Sequence, residues 1–246
     1  MALLCPDVWL LQSRFKFLNV AQVGLNGLVL RTSVAGSPRL VLVNPPKMTP
    51  EVTAQLRAIE AESGAKVEVI LQPGDWHHFQ LPAALEACPG ATCIVASERN
   101  VRKQPAIKAR SVVLERSSPQ APELGEDIVL LPWLGYSQDA MPWLLSGEPR
   151  GAARIEFVVL HRPSGTLFIT DHFLPPAIGA PLKPNTGGFK LVDAQAARKN
   201  VQSVLDQTVR RVVFSHGPRP ACVLETDASS VLAQAYQRLL QAHGAS

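Results

Sequence analysis

The chain has 246 residues, of which 46% are apolar and 18% charged, with a net charge of +4. That length buries a full hydrophobic core, and the balance of apolar to charged residues excludes a disordered polyelectrolyte. No basic run exceeds Arg210-Arg211 and no apolar run approaches the roughly 20 residues of a membrane span, so neither a nucleic-acid partner nor a membrane is expected.

In chain order, the start MALLCPDVWLLQSRFKF lacks a basic region ahead of an apolar stretch and a small-residue cleavage site. The expected location is therefore cytoplasmic. FKFLNV (15–20), NGLVLRTS (26–33) and RLVLVNP (39–45) read as strands parted by Gly, Asn and Ser turns. A helix follows: Thr49 caps it, Pro50 suits its first position, Val52, Leu56 and Ile59 share a face, and Gly64 ends it. KVEVILQ (66–72) is a strand, LPAALEAC a two-turn helix stopped by Pro89-Gly90, and ATCIVAS (91–97) a parallel strand. The strands DIVLLPW (127–133), ARIEFVVLHR (153–162) and TLFITDHF (166–173) come next, the last two joined by the turn Arg162-Pro163-Ser164-Gly165. The Pro/Gly-rich segment 174–190 is long for a connection and is expected to be a mobile lid over the functional edge. A helix capped by Asp193, the strand RRVVFS and an amphipathic helix carrying Leu232, Ala235 and Leu239 complete the chain.

Each half thus supplies strands in hairpins followed by βα units. Two mixed sheets face to face, with helices outside, bury these patterns in an α/β (α+β) four-layer αββα sandwich, expected as a single domain over 1–246. The four cysteines, Cys5, Cys88, Cys93 and Cys222, form no Cys-x-x-Cys pair, which argues against a zinc ribbon or dithiol motif. Phosphate-loop, dinucleotide and nucleophile-elbow motifs are absent.

The segment ILQPGDWHHFQLPAALEACPGATCIVASE resembles the metallo-β-lactamase-like superfamily, in which a His-x-His-x-Asp-His loop follows a strand and precedes a short helix. GTLFITDHF is similar to that superfamily's later strand, whose Asp bridges two metals, and VVFSHGPRP to the strand end whose His binds the second metal. EFVVLHRPSGTLFITD, with the paired histidines, is similar to a branch known only as a domain of unknown function. The resemblance spans roughly residues 15–220. It departs at the His loop: with His77 on the motif's last histidine, the other ligand positions fall on Gln72, Gly74 and Trp76, and the middle Gly-His-Thr histidine has no match.

The resemblance implies a reduced site. His77, His78, Asp171 and His216 are the expected metal ligands, with Asp171 and His78 as catalytic groups, holding at most one Zn or Fe ion. Adjacent histidines can diverge, so one of the pair could ligate while the other serves in acid–base chemistry. Two functions stay open: a mononuclear metal-dependent hydrolase acting on a small molecule, and a metal-free member of the fold that binds a small molecule or a protein. Trp76, Trp133 and Trp143 could line a pocket or belong to the core. NTGGFK (185–190) could cradle an anion.

Overall fold

The computed structural model describes residues 2–17, 21–115, 119, 121–137, 152–174, 182–184, 190–225 and 228–242. Strands β1 (Ala2–Cys5), β2 (Val8–Phe17), β3 (Ala21–Val34) and β4 (Ser37–Val43) form an antiparallel meander. β5 (Val67–Gln72), β6 (Thr92–Val95) and β7 (Ser111–Val113) extend it in parallel, giving seven strands in chain order. The crossovers use α1 (Pro50–Ser63) from β4 to β5, α2 (Leu81–Ala87) from β5 to β6, and α3 (Glu98–Lys103) from β6 to β7. The second sheet contains β8 (Ile128–Trp133), β10 (Glu156–His161), β11 (Thr166–Ile169), β15 (Arg211–Phe214) and β16 (Val223–Leu224), in the order β16-β15-β11-β10-β8. Among the described residues of this sheet only β11 and β15 are parallel neighbours, connected through α4 (Ala194–Leu205). Two short ribbons pair β9 (Tyr136–Ser137) with β14 (Lys190–Leu191) and β12 (Phe173–Leu174) with β13 (Lys183–Pro184).

Period-two alternation sends the two faces of each sheet into different cores. Val8, Leu10, Leu28, Leu30, Val41 and Val43 meet Phe157, Val159, Phe168 and Val213 between the sheets. The alternate residues Trp9, Leu11, Val29, Leu40 and Leu42 pack under Val52, Leu56 and Ile59 of α1 and Leu81 and Leu85 of α2. On the far side, Val158, Leu160, Leu167 and Phe214 are covered by α4 and by α5 (Ala228–Ala242), which presents Leu232, Ala235, Tyr236 and Leu239. The layers are therefore helix, sheet, sheet, helix, as the hairpins and βα units require.

Local signals act as the sequence suggests in α1: Thr49 Oγ1 accepts from Val52 N, Pro50 opens the helix, and Gly64 ends it at φ 66°. Some boundaries differ. β1, the first half of β2, β7 and α3 were not expected from the sequence. The strand expected over 153–162 begins at Glu156, and the one over 166–173 stops at Ile169, leaving Thr170–His172 outside the sheet. Of the strand expected at 15–20, residues 15–17 end β2 and 18–20 lie outside the described residues. Most of the expected lid also lies outside them (175–181 and 185–189), as does Trp143. No described helix is long and apolar enough to cross a membrane.

Candidate metal centre

The carboxyl ends of β4, β5, β11 and β15 meet at one edge of the sandwich, and the segments leaving them carry Asn44, His77, Asp171 and His216. The two sheets are tied together here by backbone bonds. Asn26 N donates to Ser215 O at 2.7 Å, and Phe157 N donates to Pro73 O at 2.7 Å. The segments after β5 and β15 are thereby fixed against the opposite sheet before any side chain is considered.

His77 Nε2 lies 3.1 Å from His216 Nε2 and 3.4 Å from Asp171 Oδ1, and His216 Nε2 lies 3.2 Å from the same oxygen. The two rings stand at 87° to each other, aiming both Nε2 atoms at one point. Each ring is locked from behind. His77 Nδ1 is 2.9 Å from Asn44 Oδ1, and the Asn44 amide is oriented by its Nδ2 donating to Asn26 O at 2.7 Å. His216 Nδ1 is 2.9 Å from Gly24 O. Both partners are carbonyl oxygens, which only accept, so each Nδ1 carries a proton, and a ring in its neutral form turns the Nε2 lone pair toward the cluster. Asp171 adds a third acceptor, because its Oδ2 is held by Arg154 Nη2 at 2.8 Å, leaving Oδ1 for the histidines.

With both rings neutral, three lone pairs on a triangle with sides of 3.1–3.4 Å repel one another. A proton on one imidazole or a cation relieves that repulsion. A point equidistant from the three atoms lies about 1.9 Å from each, close to the ~2.0–2.2 Å typical of Zn–N and Zn–O bonds. Nitrogen and carboxylate donors of this kind suit zinc or iron, so the residues present fit one such ion. Electrostatics points the same way. Burial opposes the Asp171 charge, yet His77 and His216 hold its carboxyl well below the usual range. Burial likewise opposes the His216 imidazolium, but the hydrogen bond and charge of Asp171, with Gly24 O and Glu156, together outweigh it and raise the pKa.

His78, expected as a ligand or acid–base group, is not brought to this point. Its Nδ1 lies 3.1 Å from Asp75 O, its ring stacks on Phe79, and burial pushes its pKa down to about 4, so it is neutral. The paired histidines diverge: His77 turns to the cluster and His78 braces the entry to α2. His161, in the β10–β11 hairpin, bonds to Arg31 O and Ser164 and takes no part.

The structure also explains why the motif positions 72, 74 and 76 carry no ligand. Gln72 donates to Gly74 O at 3.1 Å. A Cβ on Gly74 would sit 3.2 Å from Glu156 Cγ, so the glycine makes room for that side chain. Trp76 lies under two guanidinium groups, Arg99 at 4.8 Å and Arg154 at 5.2 Å from its ring. A buried charged network fills the adjoining space. Arg154 binds Glu156 Oε1 and Asp171 Oδ2, Glu156 Oε2 lies 2.7 Å from His172 Nδ1, and Asp75 accepts from Ser97 Oγ and from Ile155 N. Burial opposes the Glu156 charge, but Arg154 and His172 hold its carboxyl down to about 2. Trp133 belongs to the outer core, where it stacks on Tyr136. Sequence reasoning missed Asn44, Arg154 and Glu156. The only local signal was Arg-x-Glu opening an otherwise apolar strand, which puts two charges on one buried face.

Solved structures similar to the chain include metallo-β-lactamases. FIM-1 from Pseudomonas aeruginosa, in its mono-zinc form, superposes with a TM-score of 0.61 at 15% identity over 96% of this chain and 94% of that one. The enzyme from Pontibacter korlensis gives 0.59 at 16% over 96% and 97%, and that from Hirschia baltica 0.59 at 13% over 96% of each. The chain adopts the metallo-β-lactamase-like fold. At such identities the likeness is one of fold, and function has to be argued from the site. Neither a protein-family model nor a curated protein sequence matches the chain.

Proposed function

We propose that the chain is a hydrolase of small molecules that works with a single metal ion held by His77, Asp171 and His216. The observation that carries this reading is the convergence of three acceptors whose other polar atoms are all engaged: Asn44 and Gly24 hold the two Nδ1 protons, and Arg154 holds the second carboxylate oxygen. A bound zinc or iron ion would supply Lewis acidity, which brings the pKa of water toward neutrality and polarises a carbonyl or phosphoryl oxygen. The chain's own groups fix the geometry. Asn44 and Gly24 set the tautomers, and Arg154 prevents Asp171 from swinging away. His77 is 11%, Asp171 17% and His216 25% exposed at the side chain, so the cluster is open on one side for a ligand.

Metal uptake by protein prepared free of metal tests this directly. Dialysis against Zn(II) or Fe(II), read by elemental analysis, should give one ion per chain. His216→Ala should weaken uptake by more than about 100-fold, beyond the loss usual for an outer-sphere partner. His161→Ala should leave uptake unchanged. If the wild type takes up no metal, the metal-free binding protein becomes the better reading, and if His216→Ala retains the ion, the ion is held elsewhere and this ligand set fails. Loaded protein would then be assayed on chromogenic esters, thioesters, phosphodiesters and β-lactams, with the His216→Ala protein as the blank.

A further inference from the structure

A cavity of about 640 Å³ lies behind His216, on the Nδ1 side of its ring where Gly24 sits, at a size suited to a small organic ligand. Gln12, Ser13 and Arg14 of β2, Gly24 and Asn26 of β3, the start of α1, and Gly217–Arg219 line it. Its inner wall is built rather than incidental. Asn26 is fully buried, and its Nδ2 donates to Phe214 O at 2.9 Å and to Gly217 O at 3.0 Å. Its Oδ1 accepts from Gln12 Nε2 at 2.8 Å. This wall shares Gly24 with the metal centre, because Gly24 O is the atom that fixes His216.

The charge of the cavity is one-sided. Arg14 and Arg219 line it, against the single carboxylate of Glu51. Among the described residues neither guanidinium has an ion-pair or hydrogen-bond partner, whereas Glu51 Oε1 already accepts from Gln55 Nε2 at 3.3 Å. Guanidinium groups carry five donors in a planar fork that matches a carboxylate or phosphate, and the hydroxyls of Ser13 and Thr49 add further donors. We infer that this cavity is an anion-binding site, in which Arg14 and Arg219 bind the carboxylate or phosphate of a small ligand.

The test is run without metal, so that it stands apart from the metal reading. Methyl phosphate and acetate are titrated separately into EDTA-treated protein, followed by amide NMR shifts and by calorimetry. At least one should bind in the millimolar range and move the amides of Gly24, Asn26 and Gly217. The tighter of the two identifies the preferred anion. Arg14→Ala and Arg219→Ala should each weaken binding about threefold or more, and binding should weaken with added salt, as expected of partly solvated ion pairs. His77→Asn, which breaks the metal centre, should leave anion binding intact. Shifts confined to the histidine cluster, or affinities unchanged in the Arg14→Ala/Arg219→Ala double variant, would overturn the subsite while leaving the metal proposal standing. Should anion binding survive and metal uptake fail, the cavity is a ligand site of a metal-free protein.

Discussion

Asn44 sits at φ 50°, a left-handed conformation that asparagine tolerates better than most residues. From there its amide links the two strands behind it to the His77 ring, donating to Asn26 O and accepting from His77 Nδ1. The backbone around it is tightly seated, since a Cβ on Gly27 would lie 2.6 Å from Asn44 O. Replacing Asn44 by Gly keeps the φ value accessible and removes only the amide, so the backbone should hold while His77 loses its orientation. The expected result is a fall in metal affinity of roughly 10–100-fold, typical of losing a group that orients a ligand. Competition with a zinc-binding dye measures it, and an affinity within twofold of wild type would show that the Asn44 contact does not orient His77. At this scale the sequence displays the imidazoles and the carboxylate, because donor residues after strands are local features. Asn44 and Arg154 stay hidden there, because their partners His77 and Asp171 lie 33 and 17 residues away and only folding brings them together.

Whether an element could be read in advance depended on its length. α1 spans 14 residues, enough for a capping threonine, an apolar face and a left-handed glycine to agree. α3 has six residues and one apolar side chain, Val101, so no helical period can show, although Ser97 and Asn100 form a reciprocal cap. β1 and β7, at four and three residues, are too short for alternation to register. The β10–β11 hairpin was legible as far as its turn, but the role of its histidine was not. His161 is buried, with Nε2 3.0 Å from Arg31 O and Nδ1 2.8 Å from the Ser164 hydroxyl, so the turn is stitched to β3 of the opposite sheet. Burial pushes its pKa below the ordinary value of 6.5. Between those two pKa values the unfolded chain binds the proton more readily than the folded one. The stabilisation is therefore complete above about pH 6.5 and is lost as pH falls through the lowered folded value. Urea denaturation at pH 7.5 and pH 5 should show a larger loss for the wild type than for His161→Gln, by up to about 1.4 kcal/mol per pH unit crossed. Equal losses in the two proteins would show that His161 is not held neutral by its burial.

Across the whole molecule, the candidate centre draws on both halves of the sandwich. His77 follows β5 of the seven-stranded sheet, whereas Asp171 and His216 follow β11 and β15 of the five-stranded sheet. The hairpins and βα units made this two-sheet arrangement readable from sequence, but they do not reveal how the sheets are joined at the functional edge. Backbone bonds do that joining, from Asn26 N to Ser215 O and from Phe157 N to Pro73 O, together with the isolated bridge between Leu25 and His216. An ion held by His77, Asp171 and His216 would add a third kind of link across the same interface, present only when the sheets are packed. It would therefore stabilise the folded chain as a whole rather than one loop. A ligand at 100 times its dissociation constant contributes about 2.7 kcal/mol if the unfolded chain does not bind it. For a chain of this size that corresponds to a rise in Tm of roughly 5–10 °C. Thermal melts of metal-free protein with and without excess zinc should show this shift in the wild type and lose it in His216→Ala. Hydrogen exchange locates the effect: amides of β5 and of β15 should gain protection together, because either sheet must leave the other for the ligands to part. Protection gained on one sheet alone would mean that the ion binds a single loop, and the ligand set drawn from both sheets would have to be abandoned.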